Sequence, residues 1–248
     1  MQEKREDSAG VRINKYLAQC GLCSRRDADR LVEQGKVLVN GKVAVMGQSV
    51  LPSDTVQVGK KKLQEGIGQR VVLAFYKPIG VTCTQKDPHA ERTIGDLIHY
   101  PVRVTYAGRL DKDSEGLLLL TNDGNLIQAI MKGANGHEKE YIVKVSKEIT
   151  EAFLQKMAEG IYLKELEVTT RPCRIYKEGK YTFRIILTQG LNRQIRRMCR
   201  ECGYQVQSLK RIRVMNVLLG KLKPGEYREL TRQEYDEIYE KAGVTYVE

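Results

Sequence analysis

Residues 108–124 read GRLDKDSEGLLLLTNDG, and the rest of the chain is organised around them. Leu117 to Leu120 form a short, wholly apolar run bounded by turn residues, which reads as a buried strand. Asp111 follows the strand-like RVTYA, flanked by Arg109 and Lys112, and a polar turn closed off by Gly116 separates it from that run. A rigid strand beside a charged turn is a way to present a carboxylate at a cleft. Outward from this point the segments VVLAFYKP, RVTYAG, KEYIVKVS, ELEVTTRPCRIY, YTFRIILTQ and RIRVMNVLL are all rich in Val, Ile, Tyr and Thr and read as extended. Helices are predicted over 126–132, 150–159, 192–202 and 231–242. Several strands follow one another with no helix between them. That order predicts an α+β fold with a mixed, mainly antiparallel sheet and flanking helices, not a Rossmann-like one.

The first part of the chain reads as a separate small module. Ile13, Leu17 and Cys20 have helical spacing before Gly21, and Ser24 is an N-cap with Asp27 three residues on. Ala28, Leu31 and Val32 give that second helix a buried face, and Gly35 ends it. VLVNGKVAV alternates about Asn40-Gly41, a strong hairpin signal, and a strand follows from Thr55 to Val58. The expected division is a helix–helix–sheet domain over 11–58, a glycine-bearing charged linker over 59–69, and a larger domain over 70–242.

Composition narrows the function classes. Of 248 residues, 42 are Lys or Arg and 31 are Asp or Glu, a formal net charge of +11 that calls for a polyanionic partner. Hydrophobic residues make up 41% and the mean hydropathy is −0.44, as in a soluble globular protein. No apolar run approaches the ~20 residues of a membrane-spanning helix, and MQEKREDSAG has no apolar leader core, so a cytoplasmic location is expected. The six cysteines include two C-x-x-C pairs, Cys20/Cys23 and Cys199/Cys202, too far apart in sequence for a zinc ribbon. They are expected to be reduced thiols packed as small hydrophobes, with no metal. His89, His99 and His137 are scattered and form no catalytic arrangement with Ser or Asp.

The positive charge is concentrated. Residues 184–213 hold eight Arg or Lys against a single acid, Glu201, and the first module adds Arg12, Lys15, Arg25, Arg26 and Arg30. Arg196 and Arg200 are i,i+4 neighbours that repel unless a phosphate backbone or a carboxylate lies opposite. An RNA-facing role is therefore expected for Arg193, Arg197 and the basic residues of the first module, and Arg213 is expected to meet phosphate or solvent.

With these residues in view, the chain resembles the RsuA/RluB/RluE/RluF group of bacterial rRNA pseudouridine synthases. GRLDKDSEGLLLLTNDG resembles that group's aspartate signature, and residues 11–44 resemble an S4 RNA-binding domain. YKPIGVTCT at 76–84, HEKEYIV at 137–143 and LTQGLNRQIRRMCRECGYQV at 187–206 match in the same order, and with RIRVMNV they are most similar to the RluF branch, which acts on 23S rRNA. The resemblance implies Asp111 as the catalytic aspartate and Arg109 as the residue that fills the space left by the extruded base. It implies that Tyr141 stacks on the flipped uracil, that Arg196 pairs with Asp111, and that Ile195 packs beneath the target base.

The chemistry fits those residue types. Pseudouridylation breaks N1–C1′, turns the uracil over and joins C5 to C1′, with no redox change and no external group, so no cofactor is expected. The target atoms are hidden in a stacked helix, so the nucleotide must be flipped at roughly a few kcal/mol. An inserted Arg109 and a stacking Tyr141 offset that, since base–aromatic stacking is worth ~1–3 kcal/mol. Asp111 has to be ionised, which a cationic neighbour favours. Both an aspartyl adduct at C1′ and a glycal intermediate are compatible with one ionised carboxylate. The expected enzyme works as a monomer on 23S rRNA, with another rRNA or a tRNA as the alternative substrate. A non-catalytic S4-domain ribosome-assembly factor is the reading from another class, but binding alone requires no such trio of Asp111, Tyr141 and Arg196.

Overall fold

The computed structural model describes residues 10–63, 70–84, 90–132 and 136–245; His89 and the end of the expected linker, 64–69, lie outside them. The chain divides between Arg70 and Val71 into two compact units.

In the first unit, β1 (Val11–Arg12) leads into α1 (Ile13–Gln19) and α2 (Arg25–Glu33), followed by β2 (Val37–Val39), β3 (Lys42–Val43), β4 (Ser49–Val50), β5 (Val56–Val58) and β6 (Lys61–Leu63). The Ser24 Oγ accepts the Asp27 N–H at 3.1 Å, the cap read from sequence. Asn40 and Gly41 both have positive φ, 50° and 77°, which makes β2–β3 a two-residue type I′ hairpin. Ile13, Leu17, Ala28, Val37 and Val56 are fully buried between the helix pair and the sheet. Lys61–Leu63, expected as linker, pairs with β5 and buries Leu63 in this core. The charge of GKKK hid the strand, because its lysines sit on the exposed positions of an edge.

The second unit contains β7 (Val72–Lys77), β8 (Thr105–Tyr106), β9 (Glu115–Thr121), α3 (Gly124–Met131), β10 (Lys139–Val145), α4 (Glu151–Glu159), β11 (Tyr162–Leu163) and β12 (Val168–Thr169). It continues with β13 (Arg174–Gly179), β14 (Thr182–Leu187), α5 (Gln194–Glu201), β15 (Val206–Val214), β16 (Val217–Leu218), β17 (Tyr227–Glu229) and α6 (Arg232–Ala242). One sheet runs β13-β14-β10-β15-β9-β7-β17, with β16 on β15 and β8 on β9. Its pairings are antiparallel except β15 with β9, so the sheet is mixed and mainly antiparallel.

Two segments depart from the expected strands. Residues 165–176 are not one strand: Lys164–Leu166 is a 3-10 turn, Glu167 is left-handed at φ 51°, and β12 folds back on β11. Pro172, with no N–H for a ladder, separates that hairpin from β13. RIRVMNVLL is likewise a hairpin, turning at Met215 (φ 53°) between β15 and β16.

Packing covers both faces of the sheet. One face of the β7–β9 half, with Val72, Ala74, Leu117 and Leu119, is covered by Leu126 of α3 and by Ile238 and Tyr239 of α6. The other face has two covers. Over Leu73, Phe75, Leu118 and Leu120 lie Val81, Ile94 and Leu110 from the loops; over Val143, Phe183 and Ile185 lie α4 and α5. Leu117 to Leu120 have no exposed surface, a contribution of ~1.5–3 kcal/mol each. Tyr141, partly buried, packs against both clusters and so stands where the two covers meet.

Candidate active site

A single cross-strand row runs beneath that junction: Ile185, Tyr141, Arg211, Gly116 and Lys77 on β14, β10, β15, β9 and β7 are successive register partners. Such partners share a face with strands ~4.8 Å apart. Gly116 has φ +107°, and a Cβ there would stand 2.2 Å from the Arg211 carbonyl oxygen. Only glycine lets β15 cross this close to β9.

The buried cations of the row hold the Asp111 turn from below. The Arg211 Nε–H donates to the Leu117 carbonyl at 2.6 Å and an Nη1–H to the Arg109 carbonyl at 3.5 Å. Lys77, with no exposed surface, donates to the carbonyls of Ser114 (2.7 Å) and Pro78 (2.8 Å). Burial pushes its pKa down, opposed by the charges of Cys83, Asp111 and Asp113. The Leu110 N–H meets Cys83 Sγ at 3.3 Å, the Gly80 N–H meets the Lys112 carbonyl at 2.8 Å, and the Ser114 N–H closes the turn on the Asp111 carbonyl at 3.1 Å. Nearly every residue from 109 to 114 is tethered through its backbone, and the Asp111 side chain, 30% exposed, projects from a fixed frame.

Helix α5 reaches the same turn from above. Arg193, the left-handed N-cap of α5, grips Asp113 with both terminal nitrogens (3.1 and 2.8 Å) and comes within 3.6 Å of the Asp111 carboxylate. That fork holds the Asp113 carboxyl below the usual carboxylate range. Arg196 Nη2 donates to the Asp113 carbonyl at 2.8 Å and Ser114 Oγ at 3.2 Å, and its buried Nε has no hydrogen-bond partner among the described residues. The expected Arg196–Asp111 pair is therefore not the one formed. Asp113 lies between them and takes Arg196, while Arg193, one turn earlier, reaches Asp111.

The other expected site residues fall as follows. Ile195 is buried with Met198 on the inner face of α5, in the cluster against which Tyr141 packs. The Arg109 side chain is exposed and its carbonyl is anchored by Arg211. Arg197 is bound to both the carbonyl and the side chain of Asn192 and, with Arg200, to Glu165. Arg213 is not left to solvent or a phosphate; it is partly buried and lies between Glu138 (3.0 Å) and Glu140 (2.6 Å). In the first unit Arg12, Arg25 and Arg26 are exposed and Lys15 is partly so. Among the described residues no cluster of His, Cys, Asp and Glu is arranged to hold a metal, and no helix is long and apolar enough to cross a membrane.

Comparison with known proteins gives this geometry a family. The family described as RNA pseudouridylate synthase matches residues 71–201, the stretch that holds Asp111, Tyr141 and Arg196. The chain belongs to the RNA pseudouridylate synthase family. The S4 domain family matches residues 11–60 of this synthase. The chain is 45% identical over 232 residues to the dual-specificity RNA pseudouridine synthase RluF of Escherichia coli K12, covering 93% of this chain and 79% of the relative. An uncharacterized RNA pseudouridine synthase of Aquifex aeolicus is 36% identical, covering 96% and 97% of the two chains. Ribosomal large subunit pseudouridine synthase B of Vibrio cholerae is 35% identical, covering 92% and 74%. A crystal structure of a pseudouridylate synthase superposes with TM-score 0.68 at 28% identity, covering 92% of this chain and 99% of that one. The α+β fold, the S4 domain and RNA pseudouridine synthase activity read from sequence all agree with these matches.

Sequence reading of the synthase passed over Lys77, Cys83, Asp113, Glu165 and Arg211. Lys77 carried a signal, a lysine closing the apolar run VVLAFY, where a charge is costly without partners. Asp113 and Glu165 carried none, because their arginines lie far away in sequence.

Proposed function

We propose that this synthase isomerises a specific uridine of 23S rRNA, with Asp111 as the catalytic carboxylate. The observation that carries this reading is the Asp111 turn, tethered from both sides through a cross-strand row that also holds Tyr141, which packs against both apolar covers. Tyr141 stacks on the flipped uracil with Ile195 beneath it, and the exposed Arg109 enters the space the base leaves. Arg193 is the cation that faces the Asp111 carboxylate, and Arg196 holds the turn in place through Asp113 and Ser114. The S4 unit supplies affinity without chemistry: Arg12, Lys15, Arg25 and Arg26 meet backbone phosphates, the last two at a helix N-terminus where the backbone N–H groups add to their charge. We assign residues 11–63 to RNA binding and 71–242 to catalysis, with the enzyme acting as a cytoplasmic monomer and without a cofactor.

The test is pseudouridine mapping across rRNA and tRNA from cells with and without the gene. The reading expects at least one 23S uridine to lose its modification on deletion and regain it on complementation. The relative's dual-specificity designation makes a second RNA part of the same comparison. A modification lost solely from 16S rRNA or tRNA would refute the 23S assignment.

A further inference from the structure

Arg193, Arg196, Arg197 and Arg200 are spaced i, i+3, i+4 and i+7, one stripe along α5 and its N-cap. They line a cavity of about 390 Å³ together with Tyr204 and Glu165. Two carboxylates answer these four guanidiniums inside the described structure, apart from the longer Arg193–Asp111 approach. Asp113 takes Arg193 and Arg196 from the side of the catalytic turn, and Glu165 takes Arg197 and Arg200 from the other end. Glu165 comes from the short turn between β11 and β12, next to the left-handed Glu167, and its side chain is half exposed. A stripe of four arginines against two shared carboxylates keeps an excess of positive charge, and like charges three and four residues apart on a helix repel.

We propose that this cavity is a subsite for one backbone phosphate of the RNA, and that Glu165 occupies it as a phosphate stand-in until RNA displaces it. The proposal rests on the reading that α5 faces RNA beside the Asp111 turn. Half-exposed ion pairs are weak, worth ~0–1 kcal/mol, so Glu165 can be exchanged cheaply. A phosphate offers more acceptor oxygens to guanidinium forks than one carboxylate and makes stronger bidentate contacts. Because Arg193 and Arg196 both line the cavity and hold the turn, the phosphate would be anchored next to the flipped nucleotide. Glu165 then acts as an internal competitor that discriminates against anions unable to engage the stripe.

The experiment is fluorescence anisotropy with a short fluorescein-labelled single-stranded RNA over a series of KCl concentrations. It compares the full-length wild type, Glu165→Gln, the pair Arg197→Gln/Arg200→Gln, and the triple variant. Glu165→Gln should tighten binding about fivefold, the worth of one exposed ion pair. The arginine pair variant should bind more weakly and lower the slope of log Kd against log salt by about 0.7, one single-strand phosphate. In that background Glu165→Gln should add nothing. Unchanged or weaker binding by Glu165→Gln overturns the proposal. A fivefold gain that persists without Arg197 and Arg200 also overturns it, since Glu165 would then act as a remote charge. Should the Gln variant fold poorly by thermal melting, Glu165→Asp keeps the charge but shortens its reach, and a smaller gain in the same direction is expected. Inorganic phosphate titrated at constant ionic strength is the second arm: saturation of the cavity by it with no gain for RNA would assign the site to a free anion. Binding of a generic RNA does not depend on which uridine is modified, so a failed 23S assignment leaves this test standing, and the reverse holds too.

Discussion

Replacing Gly116 with alanine should disable the enzyme through its fold, although residue 116 offers no side chain to any substrate. A Cβ there meets three backbone atoms of Arg211, the oxygen at 2.2 Å, the nitrogen at 2.7 Å and the carbonyl carbon at 2.9 Å. Neither strand can rotate a side chain out of the way, so β9 and β15 must part by more than 1 Å to restore ordinary contact. That movement stretches the 2.6 Å bond from Arg211 to the Leu117 carbonyl and leaves a guanidinium with 3% exposure short of an acceptor, about 2–3 kcal/mol. Holding a non-glycine residue at φ +107° adds about 1–3 kcal/mol. Together the loss is about 4 kcal/mol, a large share of the ~5–15 kcal/mol that stabilises a domain. Gly108 is the control. Its φ is +90° but nothing lies within 4 Å of a built Cβ, so Gly108→Ala should show the strain alone, about 1–2 kcal/mol. The chain has no tryptophan, so urea unfolding is followed by far-UV circular dichroism and tyrosine fluorescence. Gly116→Ala within 1 kcal/mol of wild type, or a Gly108→Ala loss of equal size, would refute the argument that the close strand crossing shapes the turn.

Arg196→Met should slow single-turnover pseudouridine formation at saturating RNA by about a hundredfold, because it frees the Asp113–Ser114 end of the turn. Arg213→Met should instead leave that rate within a few-fold and lower stability by about 1.5–3 kcal/mol, since Glu138 keeps Arg174 and Glu140 keeps Arg184 while each loses its charged bond to Arg213; denaturation separates the two effects. Asp113, held below its ordinary 3.8 by Arg193, stabilises the fold at pH values above that figure and loses the contribution as pH falls through its lower folded value. Asp113→Asn should therefore flatten the acid limb of a plot of Tm against pH, an effect kept small because the side chain is 47% exposed. Deleting residues 1–63 should give a folded catalytic unit with weaker RNA binding and poorer site choice, scored by filter binding and modification mapping, whereas a cut at 58 would strand β6 without its partner.

The parts of this protein that were legible in sequence are those set by neighbours in the chain. Ser24 caps α2 through Asp27, Asn40-Gly41 turns a hairpin, and Leu117 to Leu120 bury a strand, all from local chemistry. The basic run at 184–213 was visible as charge, but its electrostatics were not. Asp113, Glu138, Glu140 and Glu165 arrive from other elements and occupy most of those arginines. The position of Asp111 at a charged turn was likewise readable, whereas the identity of its cationic neighbour depends on how α5 begins. A left-handed Arg193 ahead of the helix reaches Asp111, and Asp113 intercepts Arg196. The tethers under the turn come from a cross-strand row whose members span residues 77 to 211, a register that no local pattern specifies.

The central claim is that one carboxylate carries the chemistry while the surrounding basic surface carries affinity, and Asp111→Asn tests it most directly. The substitution keeps the size of the side chain and leaves the tethers of the turn intact, since these run through the backbone of residues 109–114. Single-turnover assays on 23S rRNA transcripts are read beside anisotropy measurements of RNA affinity. The account predicts no detectable pseudouridine from the variant, with RNA affinity within a few-fold of wild type and an unchanged melting profile. Measurable turnover by a homogeneous Asp111→Asn preparation would contradict it.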